Sequence, residues 1–553
     1  MTHNQIAFSE NMRTSDHIFV MKTLIDKYAR SKTPLYACFV DFRKAFDSIW
    51  RKGLLLKALQ NNIRGNIFNI LETMYTNTSV CVKIGNKRTD YFPTNKGVKQ
   101  GDVLSPFLFN LYINDLVGKL GIDSNTPTLN KLPLNCLLYA DDLVILSTSP
   151  LGLQKALDKL TEYCNTWHLQ INAKKTKIMK FSAKYQNIDN QFYIDDLPID
   201  ITHKYKYLGI ELSSTGSMKN TRGNIRDRAL KAIFALKSRL NHTDISPKLH
   251  CKLFDQIIKP ISVYGSEIWG TTLINKKDGN DFYKSFDDCP VEKLHINFCK
   301  YSLGVHKKAT NSAVRGELGR FPIALSIFIQ MLKFWFHMES SKNTILQHAL
   351  AESKNLEHQV KKSWSSHITN LLTKTGIKID KPSKHNIISF KNKVINDYKM
   401  YWKHSLGDVD KKEGKLSTYR HIKTSFHFEN YLHDIKHKEH RIIYTSLRIS
   451  SHQLAIERGR YSNPPVPREH RLCSVCNNQE VEDEKHFLIE CNTYKDDRHN
   501  MIHQIGLVYP HFTNLCDTNK FLYLMTAEGK ICQTVAKFCH AANKLRSVAL
   551  NPQ

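Results

Sequence analysis

The N-terminal third of the chain contains short apolar runs that end at acidic residues. Residues 35–40 (Leu-Tyr-Ala-Cys-Phe-Val) form a continuous apolar run, which predicts a strand buried on both faces and ending at Asp41. A second run, Cys136–Tyr139, leads through Asp141 and Asp142 into a further apolar stretch, which predicts two strands joined by an acidic turn. Because acids at the ends of buried strands need a compensating partner, these three carboxylates are candidate functional residues.

The pattern changes near Gly216. Before it, glycines, short apolar runs and turn signals indicate mixed α/β structure, whereas residues 220–460 are typical of helical segments rich in lysine, histidine and aromatics. The run 464–467 (Pro-Pro-Val-Pro) is the strongest linker signal, and a cysteine cluster follows it. Since Lys333 interrupts the apolar stretch 321–338, we expect a buried helix there and no membrane partner.

Composition adds a charge argument. The chain has 553 residues, too many for one hydrophobic core, so we expect about two to four structural units. With 41% hydrophobic residues, disorder along the whole chain is excluded. Lysine and arginine number 80 against 51 aspartate and glutamate, a formal net charge of +29. An excess of this size indicates a polyanionic partner such as a phosphate backbone.

Three carboxylates that converge from two strands are most simply explained by a divalent cation between them, because like charges held close resist joint ionisation. Oxygen ligands favour Mg²⁺, which leaves coordination positions for substrate phosphates. Strand alternation directs Asp141 and Asp142 to different sides, so we expect one of them to ligate more directly than the other. Taken alone, Asp41 is equally well explained as a helix cap.

Five segments occur in order along the chain: residues 39–47 (FVDFRKAFD), 97–106 (GVKQGDVLSP), 139–142 (YADD), 172–177 (NAKKTK) and 207–209 (YLG). Two later segments are 263–270 (VYGSEIWG) and 316–320 (GELGR). The first five resemble the A to E motifs of reverse transcriptases and stand in the same order. With the later segments included, the chain resembles the reverse transcriptase of non-LTR (LINE-type) retrotransposons over almost its whole length.

The resemblance implies an α+β, right-hand polymerase that synthesises DNA from dNTPs on an RNA template and a DNA primer or target. In it, Asp41 and Asp141 hold two Mg²⁺ ions with the help of Asp142, and the Phe42 carbonyl is an additional ligand. One ion would lower the pKa of the primer 3′-hydroxyl, and the other would neutralise the leaving pyrophosphate.

The resemblance also implies roles around the incoming nucleotide. Phe46 matches the bulky residue that lies under the sugar and excludes a ribose 2′-hydroxyl, and core packing is a compatible alternative. Gln100 and Gly101 match the pair that contacts the nucleotide and the template. Lys175 aligns with a lysine that protonates the pyrophosphate, although a simple solvated lysine is an equally weighted alternative.

The last of the five motifs implies contact with the primer. Tyr207, Leu208 and Gly209 would form the hairpin that grips the primer terminus. The alternative is an ordinary turn between two strands.

A cluster of cysteines and one histidine lies near the C-terminus. The spacing of Cys473, Cys476, His486 and Cys491 predicts a closed, tetrahedral and structural Zn²⁺ site. It resembles the zinc knuckle of LINE-type proteins. A closed site offers no open coordination position, so zinc catalysis is not predicted.

Basic residues alternate with aromatics between positions 380 and 423. One interpretation is an RNA-binding surface with aromatics available for stacking, and an equally weighted one is a solvated helix with aromatics in its core. The aromatics are Phe390, Tyr398, Tyr401, Trp402 and Tyr419, and the basic residues include Lys411 and Lys412.

The sequence departs from the family at its N-terminus. Residues 5–8 with Arg13 and Thr14 resemble a late fingers motif in which the family has glycine where this chain has Ala7. We therefore expect an N-terminal truncation before Met1 that removes a basic residue for the dNTP triphosphate. No endonuclease is recognised, so a separate endonuclease partner is expected.

The sequence as a whole predicts partial fingers and a palm, a helical thumb, a mainly helical C-terminal region and a small zinc knuckle. The predicted domains are 1–215 for fingers and palm, 216–300 for the thumb, 301–470 for a helical basic connection, 471–498 for the zinc knuckle and 499–553 for a helical tail.

Two rival interpretations remain at this stage. One is a noncatalytic nucleic-acid-binding remnant that lacks complete fingers and an endonuclease. The other is a group II intron maturase, which the zinc spacing and residues 264–269 disfavour. With scattered cysteines and no secretory signal, we expect an intracellular protein, with the nucleus favoured over the cytoplasm.

Overall fold

The computed structural model describes residues 2–183, 190–240, 244–274, 277–359, 363–407, 414–476 and 478–550. The chain forms two compact units that are interleaved in sequence. The first unit comprises Met1–Arg222, Gly265–Ile274 and Gln330–Ile387, and the second comprises Gly223–Tyr264, Asn275–Ile329 and Ile388–Gln553. The linear domain boundaries given above stay a prediction.

The strands lie in the first 213 residues. Numbered in chain order they are β1 Leu35–Val40, β2 Ser79–Val80, β3 Lys83–Ile84, β4 Lys87–Arg88, β5 Phe92–Pro93, β6 Thr128–Leu129, β7 Leu132–Pro133, β8 Cys136–Tyr139, β9 Asp142–Ser147, β10 Lys177–Phe181, β11 Tyr193–Ile194, β12 Leu197–Pro198, β13 Asp200–Ile201, β14 Lys204–Tyr207 and β15 Ile210–Ser213.

Helices make up most of the rest of the described chain. They are α1 Thr14–Ser31, α2 Ala45–Ser48, α3 Arg51–Gln60, α4 Asn66–Tyr75, α5 Ser105–Ile113, α6 Leu116–Leu120, α7 Pro150–Thr166, α8 Lys219–Leu240, α9 Pro247–Leu253, α10 Lys259–Ser262, α11 Ser266–Trp269, α12 Gly279–Lys284, α13 Pro290–Leu303, α14 Asn311–Leu318, α15 Ile323–Ser340, α16 Thr344–Gln359, α17 Trp364–Lys374, α18 Lys384–Ser405, α19 Ser417–Ile422, α20 Tyr431–Asp434, α21 Lys438–Arg448, α22 Ala455–Arg458, α23 Lys495–Val508, α24 Asp517–Thr526 and α25 Gly529–Leu550.

A five-stranded sheet in the order β13-β10-β1-β9-β8 forms the centre of the first unit. The predicted buried strand is confirmed, since all six residues of β1 are buried. β1 is antiparallel to both of its neighbours, β9 and β10, and β8 and β9 form the predicted hairpin, with Tyr139 paired with Asp142. This pairing places the acidic residues at one end of the two central strands.

The two faces of β1 pack against different partners. Tyr36, Cys38 and Val40 join a core with the apolar faces of α5 and α7. On the other face, Phe39 stacks on Tyr205 with ring centroids 4.2 Å apart. Burial on both faces explains why this strand has no polar residue before Asp41.

The segment after Asp41 forms two short helices with a break between them. α2 ends at Ser48 and α3 begins at Arg51, because Ile49 is extended and its carbonyl accepts a hydrogen bond from the Gly97 amide at 2.8 Å. The Val98 amide donates to the Phe46 carbonyl at 3.0 Å. The segment before α5 therefore pairs with this break. α5 begins at Ser105 and ends at Ile113, and a separate helix, α6, follows.

The first unit also contains α1, which packs on α16. Phe19 makes edge contacts with Phe334 and Trp364, with ring centroids 5.7 and 5.4 Å apart. Most side chains of α15 are buried, as predicted for the apolar stretch 321–338. In the described residues no single helix has the length and apolar composition to cross a membrane, whereas the bent pair α14 and α15 passes that test taken together.

The second unit is held by buried ion pairs between helices. Arg448 on α21 donates to Glu317 on α14 at 3.1 Å and to Glu429 at 2.8 Å. Arg315 pairs with Glu292 at 2.9 Å, and both side chains are buried. Because breaking such a pair would leave an uncompensated buried charge, these contacts define the packing of the helices.

Candidate active site

The three candidate carboxylates meet at one end of the central sheet. Val40 is paired with Leu143, so the next residue of β1, Asp41, comes opposite Asp142 in the antiparallel register. Asp141 precedes Asp142 in the tight turn between β8 and β9. The structure thus brings together residues 100 positions apart that the sequence analysis grouped as one site.

A glutamine from the N-terminal segment holds this turn in place. Ala140 adopts φ 54°, a left-handed conformation that is uncommon for alanine. Its amide donates to Gln5 Oε1 at 3.1 Å, and Gln5 Nε2 donates to the Ala140 carbonyl at 3.4 Å. Gln5 is itself buried. It therefore fixes the residue directly before Asp141.

The electrostatics of the site reflect crowded negative charge. Partial desolvation, with the charges of Asp141 and Asp41, raises the pKa of Asp142 to about 6. Desolvation and the Asp41 charge also raise the pKa of Asp141. Two carboxylates with raised pKa values are stabilised as anions by a cation held between them.

Asp41 is oriented by residues 172–176. Asn172 Nδ2 donates to Asp41 Oδ2 at 3.0 Å, and the Asn172 amide donates to the Asp41 carbonyl at 2.7 Å. The Thr176 hydroxyl accepts a hydrogen bond from the Asp41 amide at 3.2 Å. Lys175 Nζ lies 4.0 Å from Asp41 Oδ2, and its side chain is 72% exposed. Lys175 is thus close to the Asp41 carboxylate, and most of its side chain is exposed to solvent.

A cavity of about 980 Å³ opens beside Asp41. Asp47 is its second acid, and Trp50 and His168 contact each other edge to face on its wall. The basic residues of the lining are Arg43, Lys44, Lys96 and Lys175. Four cations around two acids make the cavity suitable for an anionic molecule.

The other predicted nucleotide contacts lie nearby. Phe46 stacks on Phe109 with ring centroids 4.5 Å apart. In the structure this side chain therefore has the packing role that was the alternative to sugar selection. Gln100 Nε2 donates to Asp47 Oδ1 at 3.0 Å. Gly101 adopts φ 84°, and no atom lies within 4 Å of the position that a Cβ would take. The backbone at Gly101 is therefore open to close approach.

The predicted hairpin of the last motif is present. β14 and β15 pair through Tyr207 and Ile210, and the turn residues Leu208 and Gly209 have φ values of 43° and 82°. The Tyr207 side chain is buried, with its ring 5.6 Å from that of Phe39. Any contact of this turn with a ligand therefore involves Leu208 and the backbone.

The cysteine and histidine cluster converges as predicted. The Sγ atoms of Cys473, Cys476 and Cys491 and one ring nitrogen of His486 all lie within 4.8 Å of one another. The Sγ atoms of Cys473 and Cys491 are 4.0 Å apart, and Cys476 Sγ is 3.4 Å from His486 Nε2. Three thiols and one imidazole at these separations fit a tetrahedral Zn²⁺ ion.

The cluster is supported by its surroundings. Glu480 Oε2 lies 2.9 Å from His486 Nδ1, which leaves Nε2 facing the cysteines. Arg498 donates to the carbonyls of Leu488 and Cys491 at 2.9 and 2.6 Å. Such contacts fix the donor atoms before a metal binds.

In the basic segment between positions 380 and 423, the structure favours the interpretation of a solvated helix whose aromatics lie in the core. Phe390, Tyr398, Trp402 and Tyr419 are buried, so they are not available for stacking with bases. Tyr401 is half-buried and stacks on Tyr283 with ring centroids 5.5 Å apart. Lys411 and Lys412 lie outside the described residues.

Comparison with known proteins places the part of the chain that contains these carboxylates in a known family. The family described as reverse transcriptase (RNA-dependent DNA polymerase) matches residues 1–212. Residues 1–212 are a reverse transcriptase domain. This finding confirms the predicted family, and a reverse transcriptase domain implies a polymerase fold.

The relatives of this reverse transcriptase domain come from non-LTR retrotransposons, as predicted. The chain is 26% identical over 253 residues to the RNA-directed DNA polymerase from mobile element jockey of Drosophila funebris, covering 43% of this chain and 27% of that protein. It is 27% identical to the probable RNA-directed DNA polymerase from transposon X-element of Drosophila melanogaster, covering 43% of this chain and 26% of that protein. The chain therefore spans about a quarter of the length of these relatives.

Other similarities are more distant. The Pol polyprotein from type-1 retrotransposable element R2 of Popillia japonica is 25% identical, covering 52% of this chain and 41% of that protein. Apo telomerase from Candida tropicalis is 12% identical, covering 71% of this chain and 58% of that chain with a TM-score of 0.35, which is too low to support an inference. The predicted N-terminal truncation is not shown by any of these relationships and stays a prediction.

Sequence reasoning missed two residues that position the carboxylates of the reverse transcriptase domain. Gln5 and Asn172 belong to two of the motifs but have no predicted role of their own, yet each contacts the site directly. Their side-chain amides at the start of two of the motifs were the available signal. Ala7, noted as a departure from glycine, is fully buried, and the left-handed conformation falls on the next residue, Phe8. Alanine is therefore accommodated without backbone strain.

Proposed function

We propose that the reverse transcriptase domain synthesises DNA on an RNA template, joining dNTPs to a primer 3′-hydroxyl with two Mg²⁺ ions. The observation that carries the proposal is the convergence of Asp41, Asp141 and Asp142 at the end of β1 and the β8–β9 turn. The donor set consists of carboxylate oxygens, with the Phe42 carbonyl as an additional ligand, and hard oxygen ligands suit Mg²⁺. Held by these residues, the ions would lower the pKa of the 3′-hydroxyl and neutralise charge on the pyrophosphate.

The protein's own groups prepare the site. Asn172 fixes the Asp41 carboxylate, and Gln5 fixes the turn that carries Asp141. Lys175, which lies 4.0 Å from Asp41, is proposed to give a proton to the leaving pyrophosphate. Arg43 and Lys44 line the same cavity and supply positive charge for a triphosphate. These two side chains would supply part of the positive charge that the fingers are expected to provide for the triphosphate.

Substrate selection is assigned to three places. The Phe46 ring, held by Phe109, is proposed to lie under the sugar and exclude a 2′-hydroxyl. Gln100 and Gly101 are proposed to contact the nucleotide and the template. The turn at Tyr207, Leu208 and Gly209 is proposed to support the primer terminus, through Leu208 and the backbone because the Tyr207 ring is buried.

Further proposals concern the rest of the chain. Cys473, Cys476, His486 and Cys491 are proposed to hold a structural Zn²⁺ ion. The right-hand division into partial fingers and palm, thumb, basic connection, zinc knuckle and tail is proposed with the boundaries predicted above. The reaction is proposed to be target-primed and nuclear, with a separate endonuclease to provide the primer.

Primer extension tests the proposal. The substrate is poly(A) annealed to oligo(dT), with dTTP and Mg²⁺, and the comparison is between this chain and an Asp141→Asn/Asp142→Asn double variant. Extension that disappears in the double variant supports the carboxylate site. Asp158→Asn/Glu162→Gln, on exposed positions of α7, is the matched control and is expected to extend normally.

If folded protein binds the template-primer with a strong salt dependence but neither form extends it, the polymerase proposal fails. A noncatalytic nucleic-acid-binding remnant would then be the better conclusion. Extension that persists in the double variant would place the catalytic carboxylates elsewhere.

A further inference from the structure

A surface of the second unit combines exposed tyrosine rings with basic side chains. Two adjoining cavities of about 150 and 520 Å³ share Lys308 in their linings. We call this area the tyrosine–lysine surface, and its residues are Lys300, Tyr301, Lys307, Lys308, Lys415, Arg458 and Tyr461.

Tyr461 lines the smaller cavity. Its side chain is 57% exposed, which is unusual for a large aromatic residue. Lys308 Nζ and Lys415 Nζ lie 5.4 and 5.3 Å from the ring centroid, and Lys415 Nζ donates to the Tyr461 hydroxyl at 2.8 Å. The ring is thus held in place at its hydroxyl and flanked by two ammonium groups.

Tyr301 lines the larger cavity and has one lysine over its ring. It is 41% exposed, and Lys237 Nζ lies 3.7 Å from its ring centroid. Lys300 next to it is buried and donates to the Lys307 carbonyl at 2.8 Å, which ties the end of α13 to the following loop. The second ring is therefore also presented by an ordered part of the unit.

The charge of the surface is not balanced by its own acids. Its cavities are lined by five lysine or arginine side chains, and in these two linings the one carboxylate is Glu457. Glu457 already accepts from Arg460 at 2.7 Å. The nearby Glu484 is buried against His452 at 2.9 Å. An extended polyanion would neutralise the remaining charge.

We propose that the tyrosine–lysine surface binds a single-stranded nucleic acid. A base stacked on Tyr461 would bring its flanking phosphates to Lys308 and Lys415, and Tyr301 provides a second platform close to Lys307. Exposed rings favour single strands over duplex, since bases inside a duplex are already stacked on each other. RNA and DNA strands share the chemistry involved, which is a stacking base and a phosphodiester backbone.

This binding does not depend on the proposed polymerase activity. The test is fluorescence anisotropy with labelled oligo(U) and oligo(dT) of about 15 nucleotides, without Mg²⁺ or dNTPs. The unmodified chain is compared with Lys308→Glu/Lys415→Glu, Tyr461→Ala and Tyr461→Phe. The matched control for charge is Lys530→Glu/Lys537→Glu, two exposed lysines of α25. Circular dichroism and thermal unfolding verify that each variant is folded.

We expect Lys308→Glu/Lys415→Glu to weaken binding at least tenfold beyond the control, and to reduce the slope of log affinity against log salt by about 1.4. We expect Tyr461→Ala to weaken binding about five- to hundredfold, with Tyr461→Phe close to the unmodified chain. A larger effect with oligo(U) or with oligo(dT) identifies the natural strand.

Equal losses in the two charge-reversed proteins would overturn the proposal, because binding would then follow net charge alone. Unchanged binding by folded Tyr461→Ala would overturn it as well. Tighter binding to a duplex of the same length, with the same sensitivity to both substitutions, would also exclude a single-stranded site. None of these outcomes bears on primer extension, which is measured separately.

Discussion

Asn172 contacts Asp41 at two points. Its side-chain amide donates to the carboxylate at 3.0 Å, and its backbone amide donates to the Asp41 carbonyl at 2.7 Å. The first contact leaves Asp41 Oδ1 available for a cation, and the second fixes the backbone at the end of β1. Asn172 is therefore a positioning residue for the carboxylate proposed to hold Mg²⁺.

Asn172→Ala should lower the kcat of primer extension about ten- to hundredfold, because an unanchored Asp41 samples orientations that do not bind the cation. The KM for dTTP should change less, and more Mg²⁺ should be needed for half-maximal rate. Steady-state extension at several Mg²⁺ concentrations measures all three. Asn69→Ala, at an exposed position of α4, is the control. A variant with unaltered kcat and Mg²⁺ dependence would show that Asp41 needs no such anchor.

Gln5→Ala should both destabilise the first unit and slow extension. It leaves the buried Ala140 amide without its acceptor, which costs about 1–3 kcal/mol of unfolding free energy, and it loosens the turn before Asp141. Chemical denaturation and kcat report the two effects. Gln60→Ala, at an exposed site on α3, should change neither quantity. Loss of stability with normal kcat would limit Gln5 to a structural role.

The two positioning residues indicate what sequence reasoning can and cannot supply. Asp41, Asp141 and Asp142 were predictable because each follows a short apolar strand whose pattern is local. The contacts of Gln5 and Asn172 join residues more than 100 positions apart, so no periodicity encodes them. For the cysteine and histidine cluster, the spacing of the residues in the sequence was enough to predict that they lie together, because the ligands of one metal ion must converge on one point.

Other elements were open to two interpretations because local pattern does not determine burial. Trp402 and Tyr419 alternate with lysines in sequence, and only the packed structure places their rings in the core. The interruption at Ile49 was likewise unpredictable, since it depends on a hydrogen bond from the distant Gly97. Tyr461, by contrast, had no motif to mark it, and its exposure became evident only in three dimensions.

Phe46→Val should relax the selection of the sugar. A smaller side chain removes the barrier to a 2′-hydroxyl, so the preference for dTTP over UTP should fall about tenfold or more. Kinetics of single-nucleotide extension with each substrate measure the ratio. Phe109→Leu is the matched control, since it breaks the same ring stack but keeps Phe46. Equal relaxation in both variants would assign selection to packing and not to the Phe46 ring.

Glu480→Gln should weaken zinc binding about ten- to hundredfold. The carboxylate lies 2.9 Å from His486 Nδ1, where it orients the ring and raises its basicity as a ligand. Competition with a chromophoric chelator measures the affinity, and Cys476→Ser provides a reference with a missing ligand. Glu469→Gln, exposed and outside the cluster, should bind zinc normally. Normal affinity in Glu480→Gln would indicate that the four donors hold the metal without this support.

His17 predicts a specific sensitivity to acid. It is 2% exposed, and in the described residues neither ring nitrogen has a hydrogen-bond partner. Burial lowers the pKa of His17 from 6.5 to about 3. The unfolded chain therefore binds a proton at His17 between about pH 6.5 and 3 that the folded chain does not bind, so stability must fall as the pH decreases through this range.

The comparison that isolates this effect is between the unmodified chain and His17→Leu. From about pH 7 to about pH 5.5, the unmodified chain should lose about 1 kcal/mol more unfolding free energy than the variant. Denaturant unfolding at a series of pH values measures the difference. The neighbouring pair of Asp16 and His337, 2.9 Å apart, is present in both proteins, so its contribution cancels in the comparison. Parallel stability curves would mean that His17 binds its proton equally in the folded and unfolded states, and that it gains a partner or water on protonation.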